Sequence, residues 1–253
     1  MTEKHISVPP DVARISEGLR DTGYNFNAAI ADIIDNSIAA NAHKIDVLLE
    51  VDFADNVVIA IIDNGYGMSE LGLINAMKYG SDKRQSAKSL GKFGLGLKTA
   101  STAFCKRLSV ITRDSVGEKA LRATWDLDVL AQRNSWDLEV AEADLVQSQL
   151  LDTVAKGTTG TLVLWEDVDR IIERYKTADG QPLSKAISKL EGQLREHIAV
   201  VFQRFLDSGD GRERDVTIRL NGVEVKAWDP FCLAETEEPV AEKKMDIQLP
   251  DGS

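Results

Sequence analysis

Asp32 and Asn36 stand four residues apart in "NFNAAIADIIDNSIAANA", so a helix through this stretch projects a carboxylate and an amide from one face. Such a pair can hold a water molecule and a metal ion, although two solvated side chains on a helix surface are the better explanation when it is taken alone. Asp63 closes an apolar run, and Gly65, Gly67 and Met68 follow it in "DNGYGM". A carboxylate there can accept a hydrogen bond from the amino group of a planar ligand, and the glycines let a ring approach bare backbone. A plain Asp-Gly turn is the simpler reading of that segment by itself. "GKFGLGLKTAS", residues 91–101, sets Gly91, Gly94 and Gly96 among Phe93, Leu95 and Leu97, with Lys92 and Lys98, just ahead of a helical pattern. Backbone N–H groups at a helix start, aided by the helix dipole, suit a phosphate. From Lys78 to Lys98 six basic residues (Lys78, Lys83, Arg84, Lys88, Lys92, Lys98) face one acid, Asp82, in a chain of net charge -11. The spacing is neither that of a P-loop nor that of a dinucleotide-binding G-x-G-x-x-G turn.

The elements that must position these groups can be read from periodicity. Ile30, Ile33, Ile34 and Ile38 recur at helical spacing, with Asn25 or Asn27 available as a cap. "KIDVLLEVD" alternates as a half-buried strand, and "NVVIAIID" is a more uniformly apolar one that delivers Asp63 at its end. "SELGLINAMKY" reads as a short helix. "RLSVITRD", "KALRATWDL" and "SWDLEVAEA" read as a strand meander, and "GTTGTLVLWEDV" as one more strand carrying Thr161. A long helix is expected over 184–205, then a hairpin in "DVTIRLNGVEV" with an Asn-Gly turn at Asn221 and Gly222. Residues 1–11 read as an extended arm leading to a short helix.

The bulk properties narrow the class. The 253 residues are 43% hydrophobic, enough for a full core. The acidic balance argues against attraction of the whole surface to nucleic acid. Two cysteines, Cys105 and Cys232, and three scattered histidines give no zinc spacing and read as reduced thiols and isolated imidazoles. No apolar run is long enough for a membrane span, and the N-terminus lacks the apolar core of a signal peptide, so a soluble, cytoplasmic protein is expected.

Taken in order, "DIIDNSIAA", "DNGYGM", "GKFGLGLKTAS" and "GTLVLW" resemble the four motifs of the GHKL ATPases, the superfamily of DNA gyrase, the large heat-shock chaperone, sensor histidine kinases and MutL. "VFQRFL" and "IRLNGVEVKAWDPF" look more specifically like bacterial MORC-type members. The resemblance implies an α+β fold: a two-layer α/β sandwich of the GHKL (Bergerat) type, with a mixed, mostly antiparallel sheet and ATP under the helices. Residues 1–180 would form the ATP-binding domain with its arm, 181–212 a connecting helix, and 213–253 the start of a truncated transducer-type domain. By the same resemblance Asp32 is the general base and Asn36 coordinates Mg2+. Asp63 accepts from adenine, with Gly65, Gly67 and Met68 shaping the base pocket, and Thr161 supports the base through a water. Gly91, Lys92, Phe93, Gly94, Leu95, Gly96, Leu97 and Lys98 surround the phosphates, beside a lid over 78–93.

Two departures bear on turnover. The family's usual base is Glu, and aspartate sets its carboxylate back by about 1.5 Å along the side chain. Misplacement on that scale can cost roughly a hundredfold in rate. Ala39 also stands where MORC-like and MutL-like members commonly have Asp. Two functions therefore stay open: a slow Mg-dependent ATPase driving a dimerisation or clamp switch, and a nucleotide-binding module with little turnover. Histidine phosphotransfer fits poorly, because His5 is the sole histidine upstream of the motifs. The resemblance also brings in an ATP-dependent homodimer and DNA as a partner. The acidic chain gives DNA no direct support, and contacts would fall in regions beyond its C-terminus or inside a dimer.

Overall fold

The computed structural model describes residues 5, 8, 11–52, 54, 56–80, 96–171 and 181–229. In chain order the elements are α1 (Val12–Arg20), α2 (Phe26–Ala39), β1 (Lys44–Val51), β2 (Val57–Asp63), α3 (Glu70–Met77) and α4 (Gly96–Thr102). Then come β3 (Cys105–Arg113), β4 (Leu121–Asp126), α5 (Leu127–Arg133), β5 (Glu139–Glu142), α6 (Leu145–Ala155) and β6 (Gly160–Val168). The last four are α7 (Gln181–Val201), α8 (Gln203–Leu206), β7 (Thr217–Leu220) and β8 (Val223–Glu224).

The strands form one sheet in the order β5-β4-β3-β6-β2-β1-β7-β8. Every pairing is antiparallel except that of β1 with β7. The mixed, mostly antiparallel sandwich expected from the sequence is therefore the observed fold. Alternation along the strands sorts their side chains between two faces. Ile59 and Ile61 of β2, Leu108 and Val110 of β3 and Trp165 of β6 join the main core with Ile30, Ile33 and Ile34 of α2. At the start of α2 the ring of Phe26 meets those of Phe104 and Trp165 edge-on, at 5.5 and 6.4 Å between centroids. That packing fixes where α2 enters the sheet face, and hence the height of everything along it.

Three features depart from the expected layout. Helix α6 packs on the reverse face, where Leu151, Val154 and Ala155 cover Ile62, Ile111 and Leu162. The expected meander is present as β3, β4 and β5, but α5 lies in the connection from β4 to β5 and α6 follows β5; each is a capped helix, Asp126 and Asp144 accepting from Val129 N and Gln147 N. The hairpin expected to open a second domain instead extends this sheet. Thr217 to Leu220 pair in parallel with Lys44 to Val47, and Ile218 and Leu220 are fully buried. Both side chains join the main core, and β7 has β1 and α8 as its neighbours. The hairpin turn is as expected, with φ of 48° at Asn221 and 77° at Gly222. Residues 230–253 lie outside the described residues. No helix among the described residues is long and apolar enough to cross a membrane.

Candidate functional site

Helix α2 begins at Asn25, whose side chain accepts from Asn27 N, and runs along the sheet with its isoleucines inward. Its remaining face carries Asp32, Asp35 and Asn36, while Ser37 is buried on the sheet side. Asn36 donates Nδ2 to the Asp32 carbonyl at 2.9 Å, and its Oδ1 has no hydrogen-bond partner among the described residues. The Asp32 carboxylate accepts at Oδ2 from the Tyr24 hydroxyl at 2.9 Å. Burial raises the pKa of Asp35, and the charge of Asp32 adds to that rise.

Asp63 ends β2 directly beneath this helix and is only 4% exposed. Ser37 Oγ donates to its Oδ2 at 2.7 Å, and Gly65 N donates to Oδ1 at 2.8 Å. Burial pushes the Asp63 carboxyl up, against the pull of the donors Gly65 N–H and Ser37 hydroxyl and a backbone bond with Thr161. Thr161 pairs with Asp63 across β2 and β6 and is itself 8% exposed. Its hydroxyl lies 3.2 Å from Thr112 Oγ1 on β3. Thr112 Oγ1 also donates to Gly160 O at 3.1 Å and receives Met68 N at 2.9 Å. One hydroxyl thus ties the loop after Asp63 to the strand beside it.

The glycines of that loop are needed for a reason the sequence did not disclose. A Cβ on Gly67, where φ is +68°, would sit 2.0 Å from the Arg113 carbonyl oxygen, and one on Gly65 would sit 2.7 Å from the Ala40 carbonyl oxygen. At both positions protein backbone occupies the space that a Cβ would take. Gly160 is similar, since its Cβ would lie 2.3 Å from the Asp63 carbonyl oxygen.

Gly91, Lys92, Phe93, Gly94 and Leu95 lie outside the described residues, as does most of the lid expected over 78–93. Gly96 and Leu97 open α4, both half-buried. Lys98 is the third residue of α4. Its side chain is 2% exposed, and Nζ donates to Ala76 O at 2.9 Å, at the end of α3. The unpaired carbonyls of a helix C-terminus carry partial negative charge, which draws a nearby ammonium inward. Trp125 Nε1 takes the next carbonyl, Met77 O, at 2.8 Å.

The structure therefore brings Asp32, Asn36, Asp63, Gly65, Gly67, Met68 and Thr161 to one end of the α2–β2–β6 stack, and turns Lys98 to the end of α3. Tyr24, Ser37 and Thr112 are the polar groups that sequence reasoning missed. Ser37 directly follows Asn36, and Thr112 is a hydroxyl in an otherwise apolar strand end; those were their only signals. Among the described residues no cluster of three or more His, Cys, Asp or Glu could hold a metal. Mg2+ does not require one, because it keeps waters and takes few protein oxygens beside substrate phosphates. The Oδ1 of Asn36 fits that role. A separate cavity of about 350 Å³, lined by Arg14, Glu17, Arg20, Lys106, Leu127 and Asp128 among others, lies between α1 and α5, away from Asp63.

The family described as histidine kinase-, DNA gyrase B-, and HSP90-like ATPase matches residues 24–161, from Tyr24 to Thr161. A mouse (Mus musculus) protein, ATPase MORC2B, is 32% identical over 89 residues, which are 34% of this chain and 9% of that protein. The chain thus spans only a small part of the length of this relative.

Proposed function

Because the chain belongs to the histidine kinase-, DNA gyrase B-, and HSP90-like ATPase family, we propose that it binds ATP with Mg2+ and hydrolyses it slowly, with Asp32 as general base. The observation that carries the reading is the placement of Asp63 at the end of β2, held by Ser37 and Gly65 and paired with Thr161, at the foot of the helix that bears Asp32 and Asn36. In this reading Asp63 accepts from the adenine amino group, Met68 and Gly67 border the ring, and Thr161 supports it through water. Asn36 Oδ1 would hold Mg2+, which supplies charge neutralisation at the phosphates. The segment from Gly91 to Gly96, with Lys92, Phe93 and Leu95, and then Leu97 would surround the phosphates.

In hydrolysis the water oxygen attacks the γ-phosphorus and the bond from that phosphorus to the bridging oxygen breaks. The electron pair leaves on ADP, and the proton of the water passes to Asp32. Asp32→Asn should abolish turnover and preserve nucleotide affinity; unchanged turnover would remove Asp32 from this role. The shorter side chain at this position specifically favours a second reading, a nucleotide-binding module with little turnover. Asp32→Glu separates the two, since a large rise in hydrolysis marks a weakened site. ATP-dependent pairing of two protomers belongs to the same proposal. It draws support from Arg20 of α1, whose Nε donates to Thr102 O at the end of α4 at 2.8 Å, linking the N-terminal helix to the element that follows the glycine segment. Light scattering with and without a non-hydrolysable analogue tests it: a doubling of mass supports pairing, and constant mass refutes it.

A further inference from the structure

Between α1 and α2 the chain turns through Gly23, whose φ of +72° lies in the left-handed region that favours glycine. The next residue, Tyr24, lays its ring against the main core and extends its hydroxyl to Asp32 Oδ2 at 2.9 Å. Among the described residues this is the one hydrogen bond that the Asp32 carboxylate makes. The tyrosine lies in a connection and not on α2, so it anchors the carboxylate from outside the helix. A side-chain hydrogen bond with Thr99, on α4, acts on the phenol as well and lowers its pKa, against the effect of Asp32.

We propose that Tyr24 is a positioning residue for Asp32, fixing one carboxylate oxygen through its hydroxyl and leaving the other to take the proton from water. The inference rests on Asp32 being the base. An aspartate has one side-chain torsion fewer than glutamate between backbone and carboxylate, and a fixed donor removes much of the rotation that remains. A hydroxyl bonded to a carboxylate is a charge-assisted contact, strong enough to select one orientation. Burial and the bond to Asp32 both raise the Tyr24 pKa, so the phenol stays a donor through neutral pH.

The test uses Tyr24→Phe, Asp32→Asn and the double variant in the full chain, since Phe keeps the ring that packs on the core. Turnover at saturating Mg-ATP, affinity for a non-hydrolysable analogue and the thermal midpoint are measured for each. Tyr24→Phe is expected to lower kcat roughly tenfold with affinity unchanged, the worth of part of one hydrogen bond to a charged group. In the Asp32→Asn background the same change should cost no further turnover. Parental kcat in Tyr24→Phe overturns the proposal, as does a parallel loss of affinity, or an equal loss of turnover in the Asp32→Asn background. Parental turnover indistinguishable from that of Asp32→Asn removes the base itself, and the positioning role falls with it. A loss confined to Asp32→Asn leaves the base standing and sinks Tyr24 alone.

Discussion

Asp63 takes donors on both oxygens, Ser37 on Oδ2 and Gly65 on Oδ1, and retains lone pairs for a ligand amino group. Asp63→Asn presents an amide donor where Ser37 or Gly65 now donates, and should weaken adenine-nucleotide binding by at least about tenfold in a calorimetric titration. Asn36→Ala should reduce the Mg-dependent part of affinity and leave the magnesium-free part near the parent. Gly67→Ala acts differently, because it strains the left-handed backbone and drives a methyl into the Arg113 carbonyl. A destabilisation of about 2–4 kcal/mol is expected, read as a fall of roughly 5–15 °C in the thermal midpoint. Asp32, Asn36 and Asp63 were legible in the sequence because carboxylates and amides stand out against apolar helices and strands. Tyr24, Ser37 and Thr112 were not, since a hydroxyl has the same appearance in sequence whether it faces water or holds a buried carboxylate.

Elements whose apolar period was long enough, α2, β1, β2, β6 and α7, fall close to where the sequence places them. The long helix ends earlier than expected, at Val201, and Gln203–Leu206 forms the separate short α8. α5 sits in the connection between two strands of the meander and α6 follows its last strand; neither was read from the sequence, although Asp144 and Gln147 form a reciprocal capping box that marks the start of α6. The end of α6 carries a checkable contact. Asp152 bonds Arg113 and also accepts from Gly157 N at 2.8 Å, while Arg113 Nε donates to Thr158 O at 2.6 Å. This clamp holds the loop before β6, and Thr159 Oγ1 in that loop donates to Gly65 O at 2.7 Å. Burial alone would raise the Asp152 pKa, but the bonds to Arg113 and Gly157 bring it below its ordinary value. A lowered carboxylate pKa contributes stability above the unfolded value and loses it as pH falls through the folded one. Asp152→Asn should therefore lower the thermal midpoint at pH 7, and the gap to the parent should close below about pH 4. A gap that stayed constant across that window would deny the bridge a part in stability.

For the whole molecule, the sheet does not stop at β1. Its continuation into β7 and β8 could not be read from sequence because a parallel pairing between residues 44–47 and 217–220 leaves no local signature, whereas the Asn-Gly turn did. A chain ended after residue 212 would bare the β1 edge and remove Ile218 and Leu220 from the core. It should melt at lower temperature and self-associate, as seen by scanning fluorimetry and light scattering; parental stability would instead assign the hairpin to a separate unit. The central claim is that the end of the α2–β2–β6 stack holds Mg-ATP. Calorimetric titration of the chain with a non-hydrolysable ATP analogue, with and without Mg2+, tests it most directly. Saturable, magnesium-dependent binding that Asp63→Asn weakens is the expected result; no binding, or binding indifferent to Asp63 and to magnesium, would contradict it.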